Sequence, residues 1–172
     1  EKSIKTTRGK LQRTRLKYLV GQLYNEIGDS KMAYKYLAKV VKSNPPYEME
    51  FNARTMQAEV MPKSKFRKMI KKLQRMAKSE RNKDYLDRVY FAIGNIYLNN
   101  QDTVRCLWSG EEGVEESTNN GPSKAMLLLR MGQLYWEREQ YIEAQKAYQQ
   151  CVGMLDKEYE EYKETERRSK IL

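Results

Sequence analysis

Apolar residues recur three and four positions apart along much of this chain, the spacing that lines one face of an α-helix. Phe66, Met69, Ile70, Leu73, Met76 and Ala77 show it well, with basic residues filling the gaps. Turn-forming strings interrupt the pattern: Gly28-Asp29, Gln101-Asp102, Asn44-Pro45-Pro46 and Asn119-Asn120-Gly121-Pro122. Pro62 suits the opening of a helix, because a first-turn proline forfeits no hydrogen bond. Helical stretches parted by short breaks predict an all-α chain.

The stretches repeat. Gly21, Gly94 and Gly132 each stand three residues before a tyrosine (Tyr24, Tyr97, Tyr135) and directly after an apolar residue (Val20, Ile93, Met131). The glycines are 73 and 38 residues apart, about two periods and one. Twelve residues beyond each lies a small side chain (Ala33, Cys106, Ala144), and sixteen beyond the first and last lie Leu37 and Tyr148. A period of 36 to 38 with these residues resembles the tetratricopeptide repeat, whose unit is about 34 residues. The match is fullest over 14–47 and 125–158. The resemblance implies a right-handed α-solenoid of antiparallel helix pairs, here about four: 14–47, a divergent 48–83, 84–121 and 122–157. Residues 1–13 read as the end of a preceding repeat, its last helix closing at about residue 7, and 158–172 as the start of a following or capping helix.

The residue types have a physical reason. In each unit a first helix, A, packs antiparallel to a second, B. Glycine in A and a small residue in B permit close approach, and neither helix can bury its apolar stripe alone, so units must stack. The second unit lacks the glycine–tyrosine pair. The third places Gly110 and Gly113 inside helix B, where each costs roughly 1 kcal/mol against alanine. A weak or bent helix is expected there, with Trp108 supplying bulk.

Composition narrows the function. The 172 residues are 40% hydrophobic and 33% charged, with four prolines, which suits surface-rich helices. Histidine is absent, which removes Ser-His and Cys-His catalysis and the usual zinc sites. Two cysteines, Cys106 and Cys151, are too few for a disulfide framework and sit at small-residue repeat positions, as buried structural thiols would. No catalytic constellation, cofactor site or metal site emerges, so a non-catalytic scaffold is expected. No apolar run is long enough to span a membrane. Glu1 already reads as helix without a leader, so the chain is expected to be a piece of a longer protein.

A narrower resemblance rests on Leu11-Gln12-Arg13-Thr14-Arg15, Gly21-Gln22-Leu23-Tyr24, the run from Asn44 to Arg54, Asn82-Lys83-Asp84-Tyr85-Leu86-Asp87, Ala92-Ile93-Gly94-Asn95-Ile96-Tyr97 and Glu116-Ser117-Thr118-Asn119-Asn120. These strings, linkers included, resemble the Bacteroidetes tetratricopeptide lipoproteins of gliding motility and type IX secretion (the SprE/PorW type). The resemblance implies a lipid anchor outside this segment, a place on the periplasmic face of the outer membrane (the cytoplasm being the alternative), and components of the secretion machinery as partners.

In the repeat family helix A lines the concave face, which would expose Arg15, Tyr18, Gln22 and Asn25 from the first unit and Asn52, Thr55 and Glu59 from the second. The third would add Arg88, Phe91, Asn95 and Asn99, and the fourth Leu129, Gln133, Trp136 and Glu137. Aromatics, amides and arginine suit capture of a protein or peptide. The competing reading is that Tyr18, Phe91 and Trp136 pack against the next helix. The lysine with which chaperone-binding relatives clamp a terminal carboxylate is replaced by Tyr18, Phe91 and Leu129, which argues against that ligand.

Charge is uneven: 22 Lys/Arg against 7 Asp/Glu over residues 1–83, net +15, and 11 against 16 over 84–172, net −5. Lys65, Arg67, Lys68, Lys71, Lys72, Arg75 and Lys78 cover the outward face of one helix. An acidic protein, anionic lipid or nucleic acid could meet that face; nucleic acid ranks last, for want of a binding motif. A solvated surface is the plainer reading. Glu111, Glu112, Glu115 and Glu116 likewise read as a solvated helix face, a cation site being the lesser alternative.

Overall fold

The computed structural model describes residues 9–61 and 63–170. Residues 1–7, read as the end of a preceding helix, and Pro62, read as a helix start, lie outside them. The described residues form α-helices α1 (Lys10–Glu26), α2 (Ser30–Lys42), α3 (Tyr47–Glu59), α4 (Phe66–Ala77), α5 (Leu86–Asn99), α6 (Thr103–Glu116), α7 (Pro122–Glu137), α8 (Tyr141–Val152) and α9 (Tyr162–Arg168). Short 3-10 turns at Lys63–Lys65 and Glu80–Tyr85 precede α4 and α5, and no strand occurs among the described residues. The fold class is all-α, of the tetratricopeptide-like helix-pair type.

The chain divides into two compact units, 1–70 and 71–172. In the first, α2 packs against both α1 and α3. Ala33, Leu37 and Val40 of α2 meet Ala53 and Val60 in a buried cluster, flanked by Tyr18, Tyr24 and Met56. In the second, α5 pairs with α6 and α7 with α8, α6 and α5 both touch α7, and α9 lies on α8. The helix pairs α1/α2, α5/α6 and α7/α8 are those that carry Gly21, Gly94 and Gly132.

The turn between A and B repeats as closely as the sequence does. The residue seven beyond each glycine is left-handed: Gly28 (φ 79°), Gln101 (φ 61°) and Glu139 (φ 60°). Its successor donates its N–H to the repeat tyrosine's carbonyl: Asp29 to Tyr24 (2.9 Å), Asp102 to Tyr97 (3.0 Å) and Gln140 to Tyr135 (2.9 Å). This closes the last turn of helix A as a left-handed helix terminus does. Asp29 and Asp102 then cap helix B, each accepting from a backbone N–H three residues on, Met32 and Arg105, at 3.0 Å. Gln140 makes no such side-chain bond.

The glycines differ in what they admit. A Cβ on Gly132 would lie 2.6 Å from the Tyr148 ring, one on Gly21 3.1 Å from Leu37, and one on Gly94 3.6 Å from the Cys106 sulfur. Glycine therefore meets the residue sixteen on where that residue is large. In the third unit that position is Gly110, and Gly94 faces Cys106 instead.

Two expectations need correcting. Helix α6 is unbroken through Gly110 and Gly113, and both are buried. A Cβ on Gly110 would meet Met131 at 2.7 Å, and one on Gly113 would meet Tyr90 at 2.6 Å and Leu127 at 2.7 Å. These glycines let α5 and α7 close on α6, and the packing offsets their poor helix propensity. Trp108 does not fill that space: it is 47% exposed.

Candidate protein-binding face

Helix A side chains of the first unit converge from α1 and α3. Arg15 is exposed, and Tyr18, Gln22 and Asn25 are half-buried. Tyr18 leans on the core cluster and lies close enough to Glu59 of α3 for the carboxylate to raise its phenol pKa, burial being the larger cause. Glu59 keeps much of its surface exposed, yet desolvation lifts its carboxyl above the usual range. Thr55 is turned inward: its hydroxyl donates to the Asn52 carbonyl at 3.0 Å and to that of Phe51 at 3.3 Å. Asn52 is half-buried.

In the second unit Arg88 and Asn99 are exposed, and Phe91 and Asn95 half-buried on α5. On α7 Glu137 is exposed and Gln133 and Trp136 half-buried, but Leu129 is only 3% exposed. The expectation that Leu129 is open on this face is therefore wrong, and the cause is α9. That helix forms a cleft of about 270 Å³ with α7 and α8, in which Leu129 lies beside Tyr148, Thr165 and Arg168.

Arg168 is the hub of the cleft. It donates to the Tyr148 hydroxyl at 3.1 Å and to Glu164 at 2.7 Å, and its guanidinium lies 4.9 Å from the Trp136 ring centre. Trp136 also meets Tyr141 in an edge-to-face contact, with centroids 5.2 Å apart. Gln133 donates to Glu161 at 2.9 Å. Trp136 is thus held by a cation and a second ring, the arrangement of a preorganised anchor. Arg168 and Glu161 escaped the sequence reading because the tail around them shows only charge, with no period to place a side chain.

The seven basic residues Lys65, Arg67, Lys68, Lys71, Lys72, Arg75 and Lys78 are all exposed, opposite buried Met69, Ile70 and Leu73. Lys65 lies 5.2 Å from the Tyr34 ring centre. The acidic cluster is not uniformly solvated. Tyr135 of α7 donates to Glu111, and burial together with the nearby Glu112 carboxylate raises the phenol pKa of Tyr90 of α5. Cys106 and Cys151 are buried, which pushes each thiol up to about 11. Among the described residues no three His, Cys, Asp or Glu side chains gather as a metal site, and no helix is long and apolar enough to cross a membrane.

The tetratricopeptide repeat family matches residues 14–47 and 127–154. No curated protein matches the chain. The matched segments hold most of the α1/α2 and α7/α8 pairs, including Gly21 and Gly132, the helix A glycines that face a large side chain sixteen residues on, Leu37 or Tyr148. Over those two segments the chain is similar to tetratricopeptide repeats, and the helix pairing and turn geometry agree with that likeness.

Proposed function

We propose that this chain is a non-catalytic scaffold that presents its helix A side chains to a protein or peptide partner. The observation that carries the reading is the held, half-buried Trp136, fixed by Arg168 and Tyr141 beside the amide of Gln133. A rigid aromatic that keeps part of its surface open loses little entropy on binding, and such residues dominate interfaces. Replacing Phe91 and Trp136 together by alanine should weaken partner binding while helical content persists; unchanged affinity would remove this face from the account.

The narrower proposal is that the chain is part of an outer-membrane lipoprotein of the SprE/PorW type, supporting type IX secretion and gliding motility from the periplasm. It rests on the sequence strings quoted above, and a pull-down from a cell-envelope fraction tests it. Recovery of secretion-machinery components is the expected result; their absence from the bound fraction would refute it.

A second reading is binding of an anionic surface (an acidic protein, a lipid or, last, nucleic acid) through the basic face of α4. The exposure of all seven cations, five on α4 and Lys65 and Lys78 flanking it, supports it. It predicts steep loss of binding with salt and no effect of the Phe91 and Trp136 substitutions.

A further inference from the structure

A second cleft in the 71–172 unit, separate from the helix A face, lies between α6 and α8 above α7. It has a volume of about 290 Å³, at the small end of ligand-sized cavities. Its floor is apolar, made by Leu128 and Met131 of α7, with Val114 and Ala147 on the walls. Gly110 shapes that floor by leaving the notch in which Met131 rests. The rim carries Glu111 and Glu115 from α6 and Glu143 from α8 against one cation, Lys146. All four rim residues are exposed. One of them, Glu111, is fixed in place because Tyr135 donates its hydroxyl proton to it.

An apolar floor inside a rim of three carboxylates and one ammonium selects a ligand that is apolar at one point and cationic around it. Over the whole 71–172 unit the charges balance, 17 basic against 17 acidic, so the negative field belongs to the rim itself. We propose that this cleft docks a basic segment of a protein partner, which sets one apolar side chain against Leu128 and Met131 while flanking lysines or arginines meet Glu111, Glu115 and Glu143. A bare cation or an unspecific polycation would use the rim without the floor, and an anionic partner would be repelled.

The test uses a short fluorescein-labelled lysine peptide with a central pair of leucines, followed by fluorescence anisotropy on the full chain. Controls are the same peptide with serines for the leucines and with glutamates for the lysines. The leucine–lysine peptide should bind, and both controls should bind at least about tenfold more weakly. Glu111→Gln, Glu115→Gln and Glu143→Gln combined should weaken it about tenfold, each surface pair adding a small share. The amide oxygen introduced by Glu111→Gln can still accept from Tyr135, so circular dichroism should be unchanged. Lys146→Glu should tighten binding, which keeps the test decisive if the triple variant is poorly folded. The Phe91→Ala, Trp136→Ala variant should bind like the wild type, which separates this cleft from the helix A face. Three results would each overturn the proposal: no binding by the wild type, equal binding of the serine control, or wild-type affinity in the triple variant.

Discussion

Glu139 stands in a left-handed conformation where the first repeat has Gly28, and Gln140 stands where that repeat has the capping Asp29. A non-glycine residue in that region costs roughly 1–2 kcal/mol, and an N-cap that accepts no bond forgoes about 1 kcal/mol. Glu139→Gly with Gln140→Asp should therefore raise the unfolding free energy by roughly 1–2 kcal/mol once glycine's greater freedom in the unfolded chain, about 1 kcal/mol, is deducted, measured by urea denaturation. No gain would mean that the turn geometry is not shared between the repeats. Gly113 has the opposite sensitivity. Alanine there meets the Tyr90 Cβ at 2.6 Å, an unyielding neighbour, so Gly113→Ala should cost about 1–3 kcal/mol despite its better helix propensity. Cys106 and Cys151, with thiols pushed up to about 11, are almost wholly protonated near pH 8. Ellman's reagent should label both slowly in native protein and rapidly in denaturant; fast native labelling would contradict their burial.

Helix α9 is the element whose role depends most on a single side chain. Arg168 joins Trp136, Tyr148 and Glu164, so Arg168→Ala should loosen α9 and shift the Trp136 emission to the red as water reaches the ring. An unchanged spectrum would show that α9 holds its place by other contacts. The same helix marks where the sequence was legible and where it was not. Residues 14–47 and 122–157 announced their helix pairs, because Gly21 and Gly132 must lie against a large side chain of the paired helix and the spacing to it is invariant. Gly94 was legible as a position, but its neighbour was not, since Gly110 had replaced the bulky partner. Propensity misjudged α6: the cost of Gly110 and Gly113 is local, whereas the close approach of Met131, Tyr90 and Leu127 that offsets it comes from other helices. Leu129 was misplaced for the same reason, because the helix that buries it is written in charge alone. The partition of Glu111 and Glu112 between Tyr135 and Tyr90 was equally hidden, as each tyrosine reaches in from a different helix.

Across the whole molecule, buried ionisable groups set the response to alkali. Burial raises the pKa of Tyr18, Tyr90, Tyr135 and Tyr148, and of both cysteines. Each group holds its proton more tightly when folded, so its contribution is complete below the unfolded pKa and is lost as pH rises. The thiols begin to withdraw support above pH 9 and the phenols above pH 10, their unfolded values. Chemical denaturation from pH 8 to 11 should show stability nearly flat to 9 and falling beyond; a flat profile to 11 would contradict it. The central claim is that helix pairs close only where a missing side chain lets a neighbour in. Gly94 and Gly132 test it directly, since both belong to the 71–172 unit and share its unfolding reference. With room at 3.6 Å, Gly94→Ala should be neutral or stabilising by up to about 1 kcal/mol. At 2.6 Å from the Tyr148 ring, Gly132→Ala should destabilise by about 1–3 kcal/mol. Equal shifts for the two variants, measured side by side by urea denaturation, would contradict the account.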